Sequence, residues 1–261
     1  MIPKPGSVAA RGHVSSSALL VVAALTCACS SEESNQCERG RSVQPIYGGS
    51  ADLGALELSP AQLASIVRVV GELPGGDSEL CSGQFVAEDW VLTAKHCAAT
   101  FVELDPGDGA PSMTRLVEAT QTHSEFDLLL LRVQKLAAPR RIKPIDRRVS
   151  PLDASWEGSQ VVLAGFGDTS TGPATALQFA TEQIVAVTDD TITVDGKGTS
   201  GACLGDSGGP LLAFGPQGVE LLGTLSKGSS SCLGKDVYVR IDRAAPWIAE
   251  STGAVASEPC P

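Results

Sequence analysis

Short apolar runs, each ending at a turn signal, limit this chain more than any other feature. Residues 64–70 and 82–86 flank the turn Pro74-Gly75-Gly76-Asp77, residues 90–94 follow, and residues 126–133 form a nearly continuous apolar run. The pattern returns at 160–166, 181–188, 191–195, 210–214, 219–226 and 237–241. Runs of this length between Gly- and Pro-rich breaks suit β-strands. Only residues 244–251 have helical character, and no short-period repeat is present. An all-β sandwich or pair of barrels follows.

The 261 residues, 43% hydrophobic and 19% charged, are enough to bury a large two-lobed core. With 19 basic against 30 acidic residues the net charge is −11, which excludes phosphate-driven nucleic-acid binding. The 2 Tyr, 3 Trp and 6 Phe also offer few stacking platforms. Eight cysteines point to an oxidising compartment.

The N-terminus reads as an export signal: Lys4 and Arg11 precede the apolar run 18–25, which is too short for a membrane span of roughly 20 residues. Leu25-Thr26-Cys27-Ala28-Cys29-Ser30 resembles a bacterial lipobox, cleaved before Cys29, with a lipid on the Cys29 thiol. That makes residues 1–28 the signal and the protein a cell-envelope lipoprotein, at the outer membrane or cell surface; ordinary signal cleavage and free secretion is the alternative. Residues 29–45 are polar and aperiodic, a linker or pro-segment.

Three motifs carry chemistry. Thr93-Ala94-Lys95-His96-Cys97, then Phe126-Asp127-Leu128-Leu129, then Gly205-Asp206-Ser207-Gly208-Gly209-Pro210 occur in the order His, Asp, Ser. A serine hydroxyl needs a base within hydrogen-bond reach, and an imidazole titrates in the right range. Taken singly, His96 is ordinary and Asp127 is a strand-edge turn residue; the ordered triple changes both readings. The set resembles the chymotrypsin-like (trypsin-fold) serine endopeptidases from Ile46 to about Ala249, with Ile46-Tyr47-Gly48-Gly49 similar to the mature N-terminus of that family.

The resemblance implies an all-β fold of two six-stranded antiparallel β-barrels, about 46–136 and 137–243, with the active site in the cleft between them. A short C-terminal helix and a tail, 250–261, complete the chain. It implies His96, Asp127 and Ser207 as the catalytic triad and the backbone N–H groups of Gly205 and Ser207 as the oxyanion hole. No cofactor is needed. The partners are peptide or protein substrates, an activating protease and, through the lipid, a membrane.

Removing Cys27 with the signal and lipidating Cys29 leaves six cysteines, which allow 15 pairings. By resemblance, Cys81 joins Cys97 and Cys203 joins Cys232; Cys37 and Cys260 remain as a pair that would tether the pro-segment to the catalytic body.

The resemblance also implies a precursor whose cleavage frees an ammonium on Ile46 to pair with Asp206. Pro45 precedes Ile46 where a self-activating tryptic enzyme has Arg or Lys, and Arg39 and Arg41 lie too far upstream. A different protease is therefore expected to activate the chain.

For substrate binding the resemblance places Gly201 and Ala202 at the base of the primary pocket and Ser226 and Gly228 along the substrate backbone. Tryptic members carry Asp where Gly201 stands. Asp236 falls on the opposite wall and supplies the missing charge, or else points to solvent or pairs with Lys235 or Lys227. The first reading gives cleavage after Arg or Lys with tolerance for large apolar residues. Lys95, Phe166 and Lys227 depart from usual family residues without removing a catalytic group.

No metal site is expected. Asp105, Asp108 and Gly109 form an acidic turn, and His123 has no ligand-spaced partner and reads as exposed or structural. Two rival readings are a catalytically silent ligand-binding member and a precursor locked by Pro45.

Overall fold

A computed structural model describes residues 46–49, 56–104, 112–135, 142–215 and 218–254. The signal, the lipidation residue Cys29, the pro-segment, the Cys37–Cys260 pair, Pro45 and the 105–109 turn lie outside the described residues.

A short helix α1 (Pro60–Leu63), started by a Ser59–Gln62 capping box, precedes β1 (Ile66–Glu72), β2 (Ser78–Ala87), β3 (Trp90–Thr93), β4 (Phe101–Leu104), β5 (Met113–Thr122) and β6 (Leu129–Val133). These six strands close into a barrel in the order β1-β2-β3-β6-β5-β4, every neighbouring pair antiparallel. The chain crosses through β7 (Asp146–Arg147) and a 3₁₀ turn at Ala154–Trp156 to β8 (Gln160–Gly165), the small pair β9 (Asp168–Thr169) and β10 (Gly172–Pro173), then β11 (Gln178–Val187) and β12 (Thr191–Asp195). It continues through β13 (Pro210–Gly215), β14 (Gly218–Lys227) and β15 (Lys235–Arg240) to α2 (Ile241–Thr252). The order β13-β8-β11-β12-β15-β14, with β13 also pairing β14, closes a second antiparallel barrel of six strands, and β7 adds alongside β14 in parallel. The expected two-barrel fold with one C-terminal helix is what the chain forms.

Two-sided burial explains the unbroken apolar runs. In β6, Leu129, Leu131 and Val133 fill the first barrel, while Leu130 and, just before the strand, Leu128 face the layer between barrels. In β8, Val161 and Leu163 fill the second barrel and Val162 and Ala164 join the same layer. Phe166, Leu212 and, from α2, Ile248 complete that layer. A buried hydrogen bond crosses it, from Gln84 Nε2 to Thr224 Oγ1 at 2.9 Å. The two barrels are thus welded by packing, and loops from both meet at one cleft.

The start of the family-like region departs from expectation. Residues from Ile46 onward were expected to open the first barrel, but Ile46 is fully buried in the second barrel's core cluster with Ala202, and Tyr47 forms a bridge with Gly201. Among the described residues, no helix is long and apolar enough to cross a membrane.

Candidate active site

His96 sits one residue before Cys97 in the loop after β3, and the Cys81–Cys97 disulfide ties that loop to β2. Asp127 lies just before β6, which pairs with β3 through Thr93↔Leu129, so adjacent strands deliver both side chains to one end of the first barrel. His96 Nδ1 is 2.9 Å from Asp127 Oδ2, and the His96 backbone N–H donates to Asp127 Oδ1 at 3.2 Å. Asp127 Oδ2 also accepts the Ser226 hydroxyl at 2.6 Å.

Burial alone would raise the Asp127 carboxyl, but the hydrogen bonds from His96 and Ser226 outweigh it and hold the group at about 2. The Asp127 hydrogen bond raises His96 above its usual 6.5, against the opposing effect of burial. An ionised Asp127 fixes the ring with its proton on Nδ1, which leaves Nε2 as the base.

A structural histidine prepares this turn. His123 Nδ1 accepts the backbone N–H groups of Glu125 at 3.1 Å and Phe126 at 3.0 Å, the two residues leading into Asp127. Its ring stacks on Phe126 and meets the edge of Trp247 of α2. The structural half of the expectation for His123 holds, and its contact with the Asp127 turn is an addition.

Ser207 reaches the same cleft from the second barrel. Its carbonyl accepts the Ser82 N–H at 2.8 Å, across the barrel boundary. Gly208, at φ +83°, packs so tightly that a Cβ there would lie 2.1 Å from Thr93 Oγ1; the serine turn therefore presses directly on the strand leading to His96. Ser207, His96 and Gly205 line one cavity of about 720 Å³.

The Gly205 N–H is aimed by its neighbours. The Leu204 carbonyl accepts the Asp168 N–H at 2.7 Å, and in a trans peptide the Gly205 N–H points the opposite way. Gly205 itself is at φ +95°, a conformation that favours glycine. The buried Ser82 hydroxyl donates to the Gly205 carbonyl at 2.9 Å and accepts the Phe166 N–H at 2.9 Å, pinning the oxyanion loop from the first barrel. Ser82 was not read as functional from the sequence.

Asp206 is buried beneath this loop. Its Oδ1 accepts the Gly167 N–H at 2.8 Å and its Oδ2 accepts the Cys203 N–H at 2.9 Å. Burial pushes it up to about 7 despite those two bonds.

The expected substrate pocket corresponds to the part of the cavity lined by Ala202, Cys203, Gly228, Ser229 and Cys232, and the expected Cys203–Cys232 disulfide joins two of these lining residues. A side chain at Gly201 would meet the Cys232 carbonyl at 2.5 Å, so this backbone leaves no room there for the tryptic Asp. Asp236 is fully buried, and neither solvent nor a lysine takes its carboxylate. Its Oδ2 accepts the Ala202 N–H at 2.7 Å and its Oδ1 the Ser229 N–H at 3.1 Å, directly behind two wall residues of the pocket. Burial raises its pKa, and the two N–H donors oppose that shift. Among the described residues, no three His, Cys, Asp or Glu side chains converge as metal ligands.

The family model described as Trypsin matches residues 55–248. The chain belongs to the trypsin family. Serine protease SP24D of Anopheles gambiae is 26% identical over 234 residues, covering 78% of this chain and 82% of that protein. Brachyurin of Leptuca pugilator is 26% identical, covering 68% and 89%, and trypsin of Squalus acanthias is 25% identical, covering 67% and 86%. The solved structure of HL collagenase superposes with a TM-score of 0.62 at 20% identity, covering 76% of this chain and 97% of that one, and so shares the fold. This trypsin-family chain is a chymotrypsin-like serine endopeptidase, and the two disulfides among the described residues mark an exported protein.

Proposed function

We propose that the chain hydrolyses peptide bonds through an acyl-enzyme on Ser207, with His96 as general base and then general acid, and Asp127 holding the imidazolium. The observation that carries the reading is the 2.9 Å contact of His96 Nδ1 with an ionised Asp127, beside Ser207 on one cavity wall. The N–H groups of Gly205 and Ser207 stabilise the oxyanion, each contributing on the order of 10²–10³-fold in rate. Labelling of Ser207 by an organophosphate tests this; processed protein that takes up no label is a silent family member instead.

Cleavage falls after Arg or Lys, with tolerance for large apolar residues. Asp236 supports this from behind the pocket wall, its charge felt through the Ala202 and Ser229 peptides rather than by direct contact. Ser226 and Gly228 pair with the substrate backbone by strand addition.

The chain is made as a precursor and becomes active when another protease cuts before Ile46. The new ammonium supplies Asp206 with the cation it otherwise lacks, and the proximity of Ile46 to the Gly201–Ala202 segment supports that reading. Rapid self-activation of purified precursor overturns the need for a second protease.

The rest of the reading rests on sequence outside the described residues: a bacterial export signal over 1–28, lipid on Cys29, a pro-segment over 29–45, and a Cys37–Cys260 bond tethering the peptidase body 46–249 to the envelope. Mass spectrometry of the mature N-terminus decides it, an unmodified Cys29 or Ser30 pointing to free secretion.

A further inference from the structure

The loop that carries Asp127 is closed by a single residue. Thr122↔Leu129 is the last pair of β5 and β6, and the His123 N–H then donates to the Leu128 carbonyl at 3.0 Å, so residues 123–128 form the turn of a hairpin. The His123 ring folds back on this turn, with Nδ1 accepting the N–H groups of Glu125 at 3.1 Å and Phe126 at 3.0 Å. Asp127 thus stands between Phe126 and Leu128, both held by His123, one through its side chain and one through its main chain.

Acceptors at this spacing are usually Asn, Asp, Ser or Thr, whose short side chains bond backbone N–H groups two or three residues on. An imidazole takes the same two bonds and adds an apolar ring. Its centroid lies 4.5 Å from that of Phe126, nearly parallel, and 4.8 Å from that of Trp247, nearly perpendicular, which fastens the turn to α2 as well as to itself. His123 is not among the residues lining the active-site cavity, so its effect on the reaction passes through Asp127.

We propose that His123 is a positioning residue for the reaction: its unprotonated Nδ1 keeps the Asp127 backbone where the carboxylate reaches both the His96 ring and the Ser226 hydroxyl. The proposal rests on the triad reading above and adds a second histidine that must be neutral for activity. A protonated imidazole donates at both nitrogens and cannot accept either N–H. Protonating His123 therefore sets donor against donor at Glu125 and Phe126 and releases the turn that places Asp127.

The surroundings favour the neutral ring. Phe126 and Trp247, the two rings packed on it, carry no charge. Burial lowers His123 below its usual 6.5; Glu125 in the same turn opposes that shift, and Lys95 from the loop after β3 reinforces it. His96 is shifted the other way by Asp127, so the two imidazoles titrate apart, His96 first as pH falls and His123 below 6.5.

The pH dependence of kcat/KM for one small peptide substrate, from about pH 4.5 to about 8.5, tests this on the full chain after processing before Ile46. In the unsubstituted enzyme the acid limb should steepen from one proton to two below 6.5. His123→Asn keeps an acceptor that does not titrate, so it should match the unsubstituted plateau within about threefold and fall with one proton throughout. His123→Phe keeps the ring stack and removes the acceptor; kcat should fall about ten- to a hundredfold with KM within about twofold, and the His96 midpoint should move down toward 6.5. A merely structural histidine would lower the melting temperature of His123→Phe and leave kcat and midpoint of the folded fraction unmoved, which overturns the proposal. A one-proton limb in the unsubstituted enzyme, or a two-proton limb in His123→Asn, overturns it equally, and these two limbs decide if His123→Phe does not fold. No cleavage by the unsubstituted enzyme at any pH overturns the endopeptidase reading and this proposal together.

Discussion

Ser226 donates its hydroxyl to Oδ2 of Asp127 at 2.6 Å, the same oxygen that holds His96 Nδ1. The donor comes from the second barrel and the acceptor from the first, so the carboxylate that orients His96 is also a contact between barrels. Its low pKa depends on both partners.

The activity of the processed enzyme should therefore rise with pH through a midpoint above 6.5, because His96 acts as base only when neutral and Asp127 raises its pKa. Asp127→Asn should move that midpoint down toward 6.5 and lower kcat on the order of 10³–10⁴-fold. Ser226→Ala should shift it in the same direction by less. The pH dependence of kcat/KM for one small substrate checks all three, and a midpoint unmoved in Asp127→Asn would separate His96 from the reaction.

Ser82 also bonds across the barrel boundary through its hydroxyl. Replacing it with Ala leaves the Gly205 carbonyl and the Phe166 N–H without their partner, at a cost of about 1–3 kcal/mol in stability. If the hydroxyl also holds the oxyanion loop, kcat should fall about tenfold with KM within about twofold, since the oxyanion forms only in the transition state. A purely structural role would lower the melting temperature and leave kcat of the folded fraction intact.

These two serines mark where sequence reading stops. His96, Asp127 and Ser207 are legible because each stands in its own motif, and β6 and β8 are legible because both of their faces are buried. β5 is not: most of its residues face solvent, so its sequence MTRLVEATQT carries no apolar alternation, and it is held by pairing with β4 and β6. Ser82 is separated from Gly205 by 123 residues, and nothing near it in sequence signals the contact. Asp236 could be assigned to the pocket wall but its orientation could not, since that depends on which backbone N–H groups the opposite loop presents.

For specificity, the decisive substitution is Asp236→Asn. It preserves shape while removing charge, so kcat/KM for Arg and Lys substrates should fall roughly 10- to 100-fold while Leu and Phe substrates change by less than about threefold. Because the two N–H groups reach different carboxylate oxygens and the amide nitrogen that replaces one of them cannot accept, a small loss of stability should accompany it. Parallel loss on all substrates would make Asp236 a support for the Ala202 and Ser229 peptides rather than a source of selective charge.

Glu182 of β11 should make the chain weaker at alkaline pH. It is 3% exposed and neither carboxylate oxygen has a hydrogen-bond partner in good geometry; burial, with Asp236 and Asp195 nearby, pushes its pKa up to about 9. An acid whose folded pKa lies above its unfolded value contributes fully to stability below the unfolded value and loses that contribution as pH rises toward the folded one. For Glu182 the window runs from 4.5 to about 9, and for Asp206 from 3.8 to about 7. Each group in its window removes up to about 1.4 kcal/mol per pH unit. Urea unfolding of the precursor at pH 5, 7 and 9 should thus show declining stability, and Glu182→Gln should flatten the upper part of the decline. Cleavage before Ile46 should abolish the Asp206 contribution, whose carboxylate then has a cation, and leave that of Glu182 in place. A precursor equally stable at pH 5 and 9 would mean that solvent or a neighbour satisfies Glu182 after all.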